Sequence, residues 1–245
     1  MISVHSLIKS YNGFQAVDRL SFEVAPGEIL GLVGPNGAGK TTTLRCLCGI
    51  IPATAGAIRI GGIDLDQDPI PAKRLLAFVP DAPYLFEYLT VWDHLMLFSK
   101  LYGVEDGVGR AEKLLGENGL ADQKYAYPAE LSRGMKQKLM IACALLHSPR
   151  ALVLDEPLTG LDPGAIRRTK RMILQTAEEG AAVIVSSHML HLVEEVCSRI
   201  LILQHGKKLL EGSLNEIRQN LPEIDEGADL EEIFLRATGL GDPNE

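Results

Sequence analysis

Eight consecutive residues constrain this 245-residue chain more than any others: Gly34-Pro35-Asn36-Gly37-Ala38-Gly39-Lys40-Thr41, a match to G-x-x-x-x-G-K-[ST]. They stand between an apolar strand pattern, EILGLVG, and a helical one, TTTLRCLCGI. In that context glycines let backbone N–H groups curl around phosphate oxygens, and the following helix aims its N-terminal dipole at them. Lys40 adds a point charge. Thr41 offers a hydroxyl to a Mg²⁺ bridging the outer phosphates, and Thr42 completes the candidate phosphate-binding set.

The same alternation continues downstream. RALVLDEP, GAIRRTKRMILQTA, AAVIVSSH, HLVEEVCSR and ILILQHG read as strand, helix, strand, helix, strand, which predicts an α/β fold with a parallel sheet flanked by helices. SVHSLIKSY and LSFEVAPGE alternate apolar and polar residues and predict an antiparallel edge. Between Asp81 and Pro149 the strand signals give way to three- and four-residue apolar spacing, as in VWDHLMLFSKLYG and SRGMKQKLMIACALLHS, so a mainly helical lobe is inserted there. The flanking runs LLAFVP and ALVLDEP then belong to one sheet.

Leu152-Val153-Leu154-Asp155-Glu156-Pro157 delivers two carboxylates at a strand end, where ligands of open α/β sheets gather. Asp155 suits a Mg²⁺ held through its water shell, and Glu156 suits accepting a proton from an attacking water.

Two classes are disfavoured by composition. The longest stretch free of formal charge, residues 180–193, has 14 residues including two serines and two histidines, short of the roughly 20 apolar residues that span a bilayer. Cys46, Cys48, Cys143 and Cys197 lack metal-ligand spacing and read as reduced, mostly buried apolar residues. MISVHSLIKSYNG does not read as a secretory signal, so the cytosol is the default. A net charge of −8 argues weakly against nucleic acid, yet residues 221–245 hold eight Asp or Glu against Arg236 alone, so the body is close to neutral. RRTKR at 167–171 reads as a solvated helix face.

Leu131-Ser132-Arg133-Gly134-Met135-Lys136-Gln137 precedes a long apolar helix, and here the sequence resembles the nucleotide-binding subunits of ABC transporters, whose signature reads LSGGQ. Ser132 and Gly134 match, while Arg133 and Met135 depart. Tyr11 before the phosphate loop, Leu161-Asp162 after LVLDEP, and His188 after AAVIVSS follow the family order, and the resemblance covers residues 2–220. It implies a P-loop NTPase (RecA-like) core with an antiparallel β subdomain and an inserted helical signature lobe. On this reading residues 1–220 form the ATPase domain, its lobe spans about 82–149, and 221–245 are a short acidic tail.

The resemblance further implies two subunits, as homodimer or heterodimer, sandwiching two ATP molecules. Ser132, Arg133, Gly134 and Met135 would complete a partner's site in trans, with Leu161 and Asp162 at the dimer contact. Tyr11 would stack on adenine beside Val17, and His188 would contact the γ-phosphate. Where members usually carry Gln, this chain has Asp81, expected to bind Mg²⁺ directly or through water. A membrane permease would dock around residues 82–94, APYLFEYLTVWDH, placing the chain at the cytoplasmic face of the membrane. FVPDAPYLFEYLT, LSRGMKQKL and LEEIFLRATG look like ABC-2-type or EcsA-like exporter ATPases, with no nucleic acid expected. A soluble ABC ATPase acting on nucleic acid or ribosomes, and a P-loop kinase, are the alternatives. The first usually carries paired ATPase domains or long coiled coils; the second gives no reason for the signature or His188.

Overall fold

The computed structural model describes residues 1–219 and 228–239. Strands β1 (Ile2–Tyr11) and β2 (Phe14–Val24) form a hairpin across Asn12-Gly13, both at positive φ (47° and 87°), the mirror-image turn that suits strand twist. The pair does not edge the parallel sheet. It builds a separate antiparallel sheet, ordered β2-β1-β4-β5, with β4 (Ala55–Ile60) and β5 (Ile63–Asp64).

The second sheet starts with β3 (Ile29–Val33), which feeds the phosphate loop and α1 (Lys40–Leu47). After β5 come α2 (Pro69–Arg74) and β6 (Leu76–Val79), then the helices α3 (Val91–Tyr102), α4 (Gly107–Asn118) and α5 (Arg133–Leu145). The chain returns through β7 (Ala151–Asp155), α6 (Pro163–Glu178), β8 (Ala182–Ser186), α7 (Leu190–Val196) and β9 (Arg199–Gln204). It ends with β10 (Lys207–Gly212), α8 (Leu214–Gln219) and α9 (Leu230–Thr238). The sheet order is β10-β9-β3-β8-β7-β6, parallel except for β10. Strands β3, β7 and β8 are buried along their whole length, which is why they read as unbroken apolar runs. Their C-terminal ends are neighbours, so three loops converge at one edge.

Helices α3 to α5 share their own core, built on Val91, Leu95, Leu115, Leu120 and Leu139. α3 starts on a capping box between Thr90 and Asp93. On α6, Arg167 and Arg171 are exposed and Lys170 is paired with Glu195 of α7. Cys46, Cys48 and Cys143 are buried, Cys197 is half-buried, and all four are free thiols.

The acidic stretch is not uniformly a tail. α9 buries Leu230 and Ile233 with Val33, Val193 and Ile202, and Asp229 caps its first turn through Glu232 N–H. Glu223, Asp225, Glu226, Asp242 and Glu245 lie outside the described residues. Among the described residues, no helix is long and apolar enough to cross a membrane.

Candidate functional site

Gly39 caps α1 at φ 101°, and a Cβ there would lie 2.5 Å from the Ala16 carbonyl oxygen, so the loop can pass this close to β2 only with glycine. Lys40 Nζ donates to the carbonyls of Gly34 (2.6 Å) and Pro35 (3.2 Å). Burial pulls its ammonium below the ordinary lysine value, while the carboxylates of Glu156 and Asp155 push back. The lysine is thus held over its own loop, facing the end of β7.

At that end the two carboxylates diverge. Asp155 is 3% exposed and accepts a hydrogen bond from the Ser186 hydroxyl of β8. Glu156 has φ 50°, a left-handed value uncommon for a side-chain-bearing residue, and its N–H donates to Ser186 O at 3.0 Å. This turn sends the Glu156 carboxylate toward the loop after β8, where His188 Nδ1 lies 2.8 Å and Ser187 Oγ 3.3 Å from Oε2. His188 therefore meets Glu156 directly.

Loop, strand end and histidine line one cleft of about 540 Å³ with Tyr11, Phe14, Ala16, Asp81, Arg133 and Thr159. Asn36, Gly37, Ala38, Gly39, Lys40, Thr41 and Thr42 all reach it. Gly34 and Pro35 act from behind, through the carbonyls that hold Lys40. Tyr11 is 44% exposed, and the opposite residue in the hairpin, Phe14, is 68% exposed, giving the cleft two aromatic faces. Val17 does not line it. Strand alternation turns that side chain into the core at 0% exposure, and Ala16 takes the cleft position. Phe14, Ala16 and Thr159 are site residues that sequence reasoning does not single out. The Asn-Gly turn, which sets Tyr11 opposite Phe14, is the available signal for Phe14.

The signature turn divides. Ser132 caps α5, its hydroxyl accepting from Met135 N–H at 3.2 Å. Met135 packs its side chain into the helical-lobe core. A Cβ on Gly134 would meet Gly160 O at 3.2 Å, so the signature rests against the turn before α6. Asp162 caps α6 through Ala165 N–H (2.8 Å) and pairs with Lys138 (3.6 Å), while its neighbour Leu161 lies within 3.6 Å of the Gly134 Cβ position. Only Arg133 of the four signature residues reaches the cleft of its own chain, where Nη2 lies 3.3 Å from Asp81 Oδ1.

Beyond Asp81, Tyr84, Phe86 and Tyr88 project outward at 77%, 59% and 89% exposure, whereas Leu85 and Trp92 pack on the lobe core. Buried His94 fixes this loop: Nδ1 donates to Thr90 O (2.7 Å) and Nε2 accepts from Phe86 N–H (2.9 Å).

Among the described residues, no three His, Cys, Asp or Glu gather as a metal cage. Thr41, Asp155 and Asp81 supply hard oxygen donors around the cleft, a set that fits Mg²⁺ bound jointly by one or two side chains and a ligand's phosphates. A larger cavity, about 760 Å³, lies elsewhere, lined by Arg110, Lys113, Met172 and Glu179 among others, and contains none of these groups.

The arrangement agrees with known proteins. A family profile described as ABC transporter matches residues 17–159. The ABC-type transporter ATP-binding protein EcsA of Bacillus subtilis (strain 168) is 35% identical over 240 residues, covering 97% of this chain and 96% of that protein. Nod factor export ATP-binding protein I of Paraburkholderia xenovorans (strain LB400) is 38% identical over 228 residues, covering 92% and 74%. A solved ATP-binding subunit of an ABC transporter superposes with a TM-score of 0.91 at 34% identity, over 97% of this chain and 99% of its own. A dimeric ATP-binding cassette bound to ADP and phosphate shares the fold, with a TM-score of 0.78 at 24% identity over 87% and 99%. With the phosphate loop, the paired carboxylates and the signature turn in place, the chain belongs to the ABC transporter family, as an ATP-binding and ATP-hydrolysing cassette.

Proposed function

We propose that this cassette powers export through a separate membrane-spanning permease, closing as a dimer around ATP and reopening after hydrolysis. The observation that carries the reading is the convergence of Lys40, Asp155, Glu156 and His188 on one cleft. The relative named for Nod factor export supports the direction of transport. The fold shared with a dimeric cassette supports the pairing.

In this cycle Tyr11 and Phe14 receive the base, and the loop amides with Lys40 hold the phosphates. Thr41, Asp155 and Asp81 would hold Mg²⁺, which when bound would supply positive charge to the outer phosphates. Glu156 takes a proton from water as that oxygen bonds to the γ-phosphorus and the bridging P–O bond to ADP breaks. His188, bonded to Glu156, orients that carboxylate and would contact the γ-phosphate. Ser132 and Gly134 would complete the site of a second copy. A homodimer supplies two such sites by one two-fold operation, and a related second subunit serves equally.

The catalytic unit extends through α9, whose apolar face belongs to the core. The permease docks on the exposed aromatic loop, placing the chain on the cytoplasmic side of the membrane as a peripheral subunit. Copurification from a detergent extract tests the whole reading: recovery of an integral membrane permease supports it, and recovery of RNA or ribosomes in its place overturns it.

A further inference from the structure

Two residues that depart from the family pattern meet each other. Asp81 stands just past β6, where the helical lobe begins, and Arg133 is the first residue of α5, 52 positions later, yet their side chains form an ion pair at 3.3 Å. Both line the cleft of the same chain. Its walls carry three carboxylates, Asp81, Asp155 and Glu156, against two cationic side chains, Lys40 and Arg133. A polyphosphate entering that cleft meets like charge, and an unpaired carboxylate at position 81 adds to the repulsion.

We infer that Arg133 is a positioning residue for the nucleotide bound in its own chain: it neutralises Asp81, and the two residues act as one charge-balanced unit. The local backbone gives the arginine a seat. Arg133 Cδ and Nε pass 3.6 Å from the Cβ position of Gly160, an ordinary packing contact, so the stem lies over the turn leading to α6 and the guanidinium reaches back to Asp81. Both side chains are more than half exposed, 59% and 51%, so the coupling is modest and salt-sensitive. The assignment rests on reading the cleft as the ATP site.

The test is a double-mutant cycle read by equilibrium binding of a fluorescent ATP analogue, with Mg²⁺ and in EDTA, at low and high salt. Arg133→Ala is expected to weaken binding about fivefold at low salt, the scale of an exposed ion pair, most clearly in EDTA. That loss disappears in an Asp81→Gln background, shrinks at high salt, and is largely rescued by Arg133→Lys. Equal losses in the wild-type and Asp81→Gln backgrounds, or no loss in either, overturn the pairing. Lys40→Ala separates the two levels: if it weakens binding strongly, on the order of a hundredfold, while the cycle is additive, only the pairing fails. Wild-type binding that survives Lys40→Ala overturns the ATP-site reading and the inference with it.

Discussion

Glu156 Oε2 lies 2.8 Å from His188 Nδ1, so the end of β7 and the turn after β8 meet through their side chains inside the cleft. Glu156→Gln keeps a group that can hydrogen-bond to His188 and Ser187 but cannot take a proton. Steady-state turnover should fall on the order of a thousandfold while ATP binding persists. Phosphate release and equilibrium binding on the same preparation check this; robust multiple-turnover hydrolysis by the variant would refute Glu156 as the base.

Lys40→Ala should act on the other branch of the cycle. The ammonium is poised on the carbonyls of Gly34 and Pro35, and its loss removes charge-assisted bonds to phosphate. Affinity for ATP should drop on the order of a hundredfold, measured by calorimetric titration, with the thermal midpoint little changed. Unaltered affinity would remove Lys40 from the phosphate site.

His147 stacks on Tyr102 with ring centroids 3.7 Å apart. Burial holds its imidazole at a pKa of about 4, helped by nearby Arg110, and among the described residues neither buried ring nitrogen has a hydrogen-bond partner. Between about pH 6.5 and about 4 the unfolded chain binds a proton that the folded chain refuses, so stability drops as pH falls through that window. Buried His94, also lowered mainly by burial, contributes in the same direction. His147→Phe should flatten part of this acid limb in urea melts taken across the window. An unchanged slope would show that the ring does not resist protonation.

Tyr84 is 77% exposed and lies on the loop that His94 pins to α3. Tyr84→Glu should weaken recovery of the permease on an affinity-tagged cassette while leaving ATP binding by the isolated chain unchanged. Full permease recovery with that charge in place would move the docking surface elsewhere.

Leu230 and Ile233 are fully buried although they sit in the acidic C-terminal stretch. Leu230→Ala should cost about 3 kcal/mol of unfolding free energy, as a cavity in a packed core does. A thermal or denaturant melt reads this directly, and a loss below about 0.5 kcal/mol, the scale of a surface substitution, would show α9 to be an appendage.

The phosphate loop, the carboxylate strand and the sheet strands are legible because each is a local code: glycines at turns, apolar runs where a strand is buried on both faces. The helical lobe announces itself through its apolar spacing. What escapes depends on pairing at a distance. β4, β5 and β10 are short and mixed in polarity, and become strands only beside partners already in place. Val17 looks like a base-pocket residue because proximity to Tyr11 is visible in a sequence, whereas the side of the strand on which it emerges is settled by hairpin register. Arg133 reads as part of a surface signature until the fold brings Asp81 beside it. α9 shows its helical pattern, but the neighbouring carboxylates outweigh the apolar stripe of Leu230 and Ile233.

That stripe bears on His188. α7, which begins just after His188, is pressed on one side against β3, where a Cβ on Gly31 would lie 2.4 Å from Val193 Cγ1. On the other it meets α9, through the shared core of Val193, Leu230 and Ile233 and through Leu230 N–H donating to Glu194 at 3.3 Å. The histidine is therefore indexed to two references at once, the strand that carries the phosphate loop and a helix near the C-terminus. A change at α9 therefore bears on the placement of the loop that carries His188, although the helix itself lines no part of the cleft.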